Sequence, residues 1–306
     1  MDRIFSGIQP SGDIHVGNYV GAIRNWAQLV DRYECVYSVV DYHAITIEYE
    51  VDSMQKRILD TATILVACGL SSDKCIVFVQ SHVPQHTELA WIFNCVTPVG
   101  ELERMTQFKE KGRQHRYNVN MGLLDYPVLQ AADILIYKAG FVPVGEDQIQ
   151  HVEFSREIAR KFNARFGNTF PEPQVLLSNA PRIMGTDGSS KMSKSLNNAI
   201  GILEAPEVIW EKLRTAATCE HRQRRNDPGH PEHCNIFTMH QAFSKSDQIA
   251  FVDHNCRTAG FGCIECKEIL FVDVLQSGAS RCKAIVQGVM DEVRTKIGVK
   301  PQWLQK

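Results

Sequence analysis

Hydrophobic and polar positions change period several times along this chain, and each change predicts an element. Residues 3–5 have the apolar, β-branched character of a short strand. The turn Gln9-Pro10-Ser11-Gly12 follows, in which proline fixes φ and glycine permits positive values. From Val16 the apolar residues fall at helical spacing: Val16, Tyr19, Val20, Ile23, Trp26, Ala27 and Val30. Two near-continuous apolar runs, 35–41 and 75–80, predict strands buried on both faces. Between them, 53–68 predicts a helix with Met54, Ile58, Thr61, Leu65 and Cys68 on one face and Gly69 as its stop. Three strands alternating with two helical segments imply a doubly wound parallel sheet. Helices follow at 87–96 and 123–139, a short strand at 141–144, and a helix from Gly145 to about Asn163. Beyond Phe170-Pro-Glu-Pro the pattern loosens into loop, and a helical region begins at Pro206.

The expected fold class is α/β: a doubly wound, parallel-sheet, Rossmann-like catalytic domain with a C-terminal α-helical domain. The first covers 1–205 and includes a connecting insert at 84–122; the second covers 206–306.

Composition narrows the picture. A chain of 306 residues can bury a real core, and its net charge of −2 leaves only local patches for a nucleic acid. Arg222-Gln-Arg-Arg225 is one such patch, equally readable as a solvated turn paired with Asp227 and Glu232. The charged stretch 100–116 reads mainly as a solvated helix and loop, its basic end being the part that could meet RNA. No run of 18 apolar residues exists, and Met1-Asp2-Arg3 leads into a strand without a signal peptide. Ten cysteines in such a chain suggest free thiols or metal ligands in a reducing cytoplasm.

Candidate chemistry gathers at six places. The strand–turn–helix at 3–30 offers free backbone N–H groups to a phosphate, with His15 at the entrance and Gly17 leaving space against the backbone. Asp41-Tyr42-His43 lies at a strand's C-terminal end, where open α/β sheets keep ligands. Gln130 and Asp133 share a face of an otherwise apolar helix, and an acid there is costly to bury without a partner. Gly145-Glu146-Asp147-Gln148 is a second turn suited to a ligand edge. The loop 185–195 carries Lys191 and Lys194 as point charges on flexible stems.

The sixth place is a cysteine array. Cys234, Cys256, Cys263 and Cys266 are separated by 21, 6 and 2 residues, ending in a Cys-x-x-Cys pair. Cys219, Cys282 and the nearby His221, His230, His233, His240 and His254 leave the ligand set open on spacing alone.

These motifs carry a resemblance. His15-Val16-Gly17-Asn18 is similar to the His-Ile-Gly-His signature of class I aminoacyl-tRNA synthetases, with Asn18 replacing its last histidine. Lys191-Met-Ser-Lys-Ser195 is identical to their second signature. With 6–12, 100–110 and 142–148, these stretches resemble bacterial-type tryptophanyl-tRNA synthetases over most of 1–205. The cysteine array resembles the subgroup carrying a 4Fe–4S cluster, where the first gap is one residue longer. That resemblance implies Cys234, Cys256, Cys263 and Cys266 as cluster ligands, zinc being the alternative metal.

What the resemblance implies about roles is specific. Phe5, Gly7, Val40, His43, Ile134, Val142 and Val144 would wall a tryptophan pocket. Asp133 would accept from the indole, while Tyr126, Gln130 and Gln148 hold the amino acid's polar end. Gln9, Pro10, Ser11, His15, Gly17 and Asn18 would bind ATP, with Gly145, Glu146 and Asp147 at its ribose. Ile183, Lys191, Met192, Ser193, Lys194 and Ser195 would complete the nucleotide site. Lys191, Lys194, His15 and Gln9 would be catalytic, with ATP entering as its Mg2+ complex. The partners implied are L-tryptophan, tRNA(Trp) and a second copy of the chain, joined around 84–116, in the cytoplasm. A carboxylate accepts from an indole or a phenol alike, so tyrosyl-tRNA synthetase is the nearest rival. A catalytically silent tryptophan or redox sensor is another alternative, although it would need neither lysine of the second signature. A small-molecule nucleotidyltransferase fits less well, given the long C-terminal region.

Overall fold

The computed structural model describes residues 1–108, 119–177, 183–193 and 196–274. Two compact units emerge, Met1–Gly12 with Trp26–Ser178 and Asp13–Asn25 with Asn179–Lys306.

The first unit is built on a five-stranded parallel sheet of order β3-β2-β1-β4-β5. Its strands are β1 (Arg3–Ile8), β2 (Glu34–Val39), β3 (Ile76–Val79), β4 (Phe141–Val144) and β5 (Gln174–Leu177). The apolar run at 35–41 lies in the interior of the sheet, and Val36, Tyr37 and Val39 are buried there. The equally apolar run at 75–80 forms an edge instead, with Ile76 54 % exposed. Composition cannot separate these cases, because an edge is defined by a missing neighbour. β5 was expected to be loop; four residues between proline and polar chain carry no legible period. The doubly wound order leaves a crevice where β1 and β4 are neighbours, at their C-terminal ends.

Helix Val51–Ala67 buries Met54, Thr61, Ile64 and Leu65, and ends before Gly69, whose φ of +103° needs glycine. Helix Met121–Ile136 is capped by Asn120, whose side chain accepts the Leu123 N–H at 2.9 Å. Pro127 leaves the Leu123 carbonyl without its helical donor. Burial offsets that cost: Val128, Ala131, Ala132 and Leu135 pack with Phe93 and Ile158 in one apolar cluster.

The second unit begins with a helical run, α-helical at Val16–Asn18, π-helical at Tyr19–Ile23 and α-helical again at Arg24–Leu29. Among the described residues four α-helices follow: Pro206–Thr215, Asn235–Phe243, Ser246–Arg257 and Cys263–Val274. Ile183, Met192, Ala199 and Ile200 join Ile209, Leu213, Met239 and Leu270 in one core. The lysine loop therefore packs with the helical region, and the compact units divide at 178/179, not at 205. Buried Lys267 ends the first of these helices, donating to the carbonyls of Arg214 (2.9 Å) and Ala216 (2.6 Å). No helix among the described residues is long and apolar enough to cross a membrane.

Leu270 is completely buried in the second core. Leu270→Ala is expected to cost about 2–5 kcal/mol, read as an earlier urea midpoint for the signals of this unit. An unchanged midpoint would contradict the packing.

Candidate active site

A cavity of about 400 Å³ opens at the β1/β4 crevice. β1 supplies Phe5 and Gly7, the residue after β2 is Val40, and β4 supplies Val142 and Val144. Tyr126, Gln130, Asp133 and Ile134 come from Met121–Ile136, His43 from the turn Asp41–Ala44, and Gln148 from the turn after β4. All the residues expected around an amino acid thus line one space. Gly7 is required: a Cβ there would stand 2.7 Å from Val40 Cγ1. Ser6, Ile8, Gln9, Gln107 and Asp147 also border the cavity.

Asp133 is buried at its floor, and it has partners. His43 Nε2 lies 2.7 Å from Oδ2; His86 Nδ1 (2.6 Å) and Gln80 Nε2 (2.7 Å) reach Oδ1. Burial raises the acid's pKa, but bonds from His43 and His86 outweigh it and hold the carboxyl below the usual range. His86 and Gln80 were not singled out by sequence. The available signal was two polar side chains just after a strand's C-terminal end. At the polar side of the cavity, Tyr126 Oη lies 3.0 Å from His151 Nε2. Gln130 Nε2 donates weakly to Gln148 Oε1 (3.4 Å), and Gln148 Nε2 donates to Asp147 Oδ2 (3.0 Å).

The remaining nucleotide candidates are distributed as follows. Gln9, Pro10, Gly145, Glu146 and Asp147 lie in the first unit, where the turn Glu146–Gln148 is 3-10 helical and Gly145, Glu146 and Asp147 are exposed. Ser11 is an exposed turn residue of the same unit.

In the second unit His15 caps the helical run. Its Nδ1 accepts the Asn18 N–H (3.3 Å), and Asn18 Oδ1 accepts the His15 N–H (3.1 Å). Asn18 therefore closes a reciprocal cap. Burial, then the charge of Lys191, lowers the His15 pKa to about 4. A neutral ring accepting at Nδ1 carries its hydrogen on Nε2. A Cβ on Gly17 would come 3.0 Å from the His15 ring, so this glycine makes room for the imidazole.

Lys191 pairs with Met184 in an isolated antiparallel bridge. Asn198 ties the loop: Nδ2 donates to Asp187 Oδ2 (3.0 Å) and the Lys191 carbonyl (3.3 Å), and Oδ1 accepts the Ser193 N–H (2.7 Å). Met192 and Ile183 bury their side chains in the core. Lys194 and Ser195 lie outside the described residues, as does most of the basic end of 100–116.

The four array cysteines sit at helix ends. Cys234 precedes Asn235–Phe243, Cys256 is in the last turn of Ser246–Arg257, and Cys263 and Cys266 start the last described helix. Burial, then the neighbouring thiols of Cys234, Cys256 and Cys263, pushes the Cys266 thiol up. A Cβ on Gly229 would fall 2.4 Å from Cys256 Sγ, so that glycine cradles the sulfur. Among the described residues, no three or more His, Cys, Asp or Glu side chains are grouped as one metal ion requires. Arg222 is buried, donating to the carbonyls of Arg225 and Phe261; it is neither a solvated turn residue nor an exposed contact.

The family model for tRNA synthetases class I (W and Y) matches residues 2–273, and the chain belongs to that family. Within it, the chain is 49 % identical to the tryptophan–tRNA ligase of Deinococcus radiodurans, over 97 % of this chain and 99 % of that protein. The tryptophan–tRNA ligase of Thermotoga maritima is 40 % identical over 95 % and 98 %. The Campylobacter jejuni tryptophanyl-tRNA synthetase complexed with ADP and tryptophan superposes with a TM-score of 0.78 at 31 % identity, covering 97 % and 99 %.

The His15 ring is expected to stay neutral from about pH 5 to 8 and to titrate near 4. Its folded pKa lies below the ordinary 6.5, so the folded state binds fewer protons in between. Stability is therefore kept above 6.5 and lost as pH falls toward 4. Ring-proton NMR, assigned with His15→Gln, checks this; a transition near 6.5 would contradict the buried setting.

Proposed function

We infer that this chain is a tryptophan–tRNA ligase that activates L-tryptophan with ATP and transfers it to the 3′ end of tRNA(Trp). The observation that carries the reading is the cavity: an apolar slot with one buried carboxylate at its floor and amide and phenol groups at its polar side. That is the complement of an indole joined to an amino acid. The near full-length identity to tryptophan–tRNA ligases supports the same choice over tyrosine.

In this reading Phe5, Gly7, Val40, His43, Ile134, Val142 and Val144 enclose the ring, and Asp133 takes the indole N–H. Tyr126, Gln130 and Gln148 hold the ammonium and carboxylate. The carboxylate attacks the α-phosphorus of Mg·ATP in line; the bond to the bridging oxygen breaks and pyrophosphate leaves. Adenylyl transfer needs positioning and charge neutralisation more than covalent catalysis. Lys191 and Lys194 meet charge building on the leaving pyrophosphate. Neutral His15 donates from Nε2 toward the α-phosphate side with Gln9, while Gly17 and Asn18 adjoin the adenine. Gly145, Glu146 and Asp147 hold the ribose. A terminal ribose hydroxyl of tRNA then attacks the adenylate carbonyl and AMP departs. Residues 206–306 are the tRNA-binding part, and the chain works as a cytoplasmic homodimer joined around 84–116.

Cys234, Cys256, Cys263 and Cys266 hold a 4Fe–4S cluster in this reading. Each thiolate of such a cluster binds its own iron, so the four need not converge on one point. Four mutually interacting thiols, the Gly229 cradle and Arg222 beside Cys256 fit that group. Bound there, it supplies a covalent staple for a small helical unit.

Lys191→Ala and Lys194→Ala are each expected to slow tryptophan-dependent pyrophosphate exchange by about 10²–10³. A wild-type rate would remove the assigned role, and equal exchange with tyrosine would remove the specificity. Protein isolated anaerobically should be brown, absorbing near roughly 400 nm with about four irons per chain. A colourless preparation with stoichiometric zinc would reverse the metal assignment.

A further inference from the structure

The partners of Asp133 account for nearly all of its hydrogen-bonding capacity, and each of them donates to it. Gln80 Oε1 accepts the Tyr42 N–H at 3.1 Å, so the end of Gln80 facing Asp133 is its amide nitrogen. An ionised carboxylate can only accept, so His86 carries a hydrogen on Nδ1, 2.6 Å from Oδ1. His86 Nε2 lies 2.8 Å from Tyr137 Oη. Burial, then the Asp133 charge, pushes the Tyr137 phenol up to about 12, so it keeps its proton. His86 thus stands between Tyr137 and Asp133, and donates to Asp133. Gln80 and His86 are completely buried and do not border the cavity; Asp133 and His43 do.

A carboxylate has about four acceptor positions. Gln80 and His86 occupy both on Oδ1, and His43 Nε2 occupies one on Oδ2. Among the described residues, one position on Oδ2 remains.

We propose that Gln80 and His86 are specificity-determining positioning residues. They hold Asp133 as an acceptor-only group with a single open position, so that the pocket admits a ring that donates one hydrogen bond and accepts none. The proposal rests on the tryptophan reading above and deepens it.

An indole N–H is a donor only, and the open position satisfies it fully. A phenol also donates, but its oxygen then needs a donor in return. Two donors of the lining are already used: His43 Nε2 on Asp133, and Ser6 Oγ on the Pro143 carbonyl at 3.0 Å. A protonated Asp133 would supply the missing donor and tolerate a phenol. By donating to Oδ1, Gln80 and His86 favour the ionised form and so remove that donor. A site built around one polar pairing discriminates far more strongly than shape alone.

Pyrophosphate exchange with tryptophan and with tyrosine, on the full-length protein, tests this. His86→Leu removes the donor at similar bulk. His86→Asn keeps an amide N–H near the Nδ1 position. Gln80→Leu removes the other donor. His86→Leu is expected to raise KM for tryptophan about tenfold to a hundredfold with kcat little changed. It should also narrow the preference for tryptophan over tyrosine by at least about tenfold, with Gln80→Leu moving both in the same direction. His86→Asn should restore KM and preference together, which a merely structural role would not require. A folded His86→Leu protein with wild-type preference overturns the proposal. So does a His86→Asn protein as impaired as His86→Leu. If thermal melting shows His86→Leu unfolded, Gln80→Leu decides, and wild-type preference in it overturns the proposal. A wild-type enzyme that exchanges no pyrophosphate with tryptophan overturns the parent reading, and this one with it.

Discussion

One buried carboxylate organises the ligand edge of the first unit. Asp133 sits on the most apolar of the long helices, where an unpaired charge would be expensive. Its three donors come from three separate segments. His43 belongs to the turn after β2, Gln80 to the 3-10 turn after β3, and His86 to the start of helix Gln85–Asn94. The acid therefore ties the C-terminal ends of two strands and one helix to the helix that carries it. Buried ion pairs and networks are weak sources of net stability, but removing one member leaves the others unpaired. Their better-attested use is in fixing one arrangement. Here that arrangement is the floor of the cavity, with Phe5 stacked on Tyr137 at 5.5 Å beside it.

How much of this was legible in the sequence depended on whether the deciding partner was local. Helix and strand periods belong to single segments, so β1, β2, β4 and helix Met121–Ile136 could be read directly. Edge status is non-local: 35–41 and 75–80 look alike as strings, yet only the second ends at an edge. β5 was invisible for a related reason, because its four residues become a strand through pairing with β4. The cavity wall was legible through the family resemblance, and its residues do line one space. Asp133 was also suspect on cost alone. His86 and Gln80 were not, since a histidine and a glutamine after a strand have many ordinary uses. What distinguishes them is a partner 47 or 53 residues away.

The second unit shows a different dependence. Gly185 lies so close to Asn198 that a Cβ would meet its amide at 2.1 Å. Asn198 in turn fastens Asp187, the Lys191 carbonyl and the Ser193 N–H. A loop of lysines, serines and glycines looks generic in composition. It is specific in structure because one buried asparagine satisfies it and one glycine lets that asparagine in. The same loop sends Met192 into the core, so its backbone has a fixed anchor while Lys191 remains exposed. That also explains why the compact units divide before the loop and not after it.

Asn18 and Asp133 illustrate one rule at two places. Each leaves a neighbouring group in a single hydrogen-bonding state. Asn18 and the helix start make Nδ1 of His15 an acceptor, which puts the hydrogen on Nε2. Gln80 and His86 leave Asp133 with acceptors only. In both cases burial alone would act toward neutrality, lowering a histidine's pKa and raising an acid's. For His15 the Lys191 charge adds to burial, and the ring stays neutral. For Asp133 the donated bonds oppose burial and win, and the acid stays ionised. The protonation states that the proposed chemistry uses are thus set by which neighbours donate, more than by how deeply each group is buried.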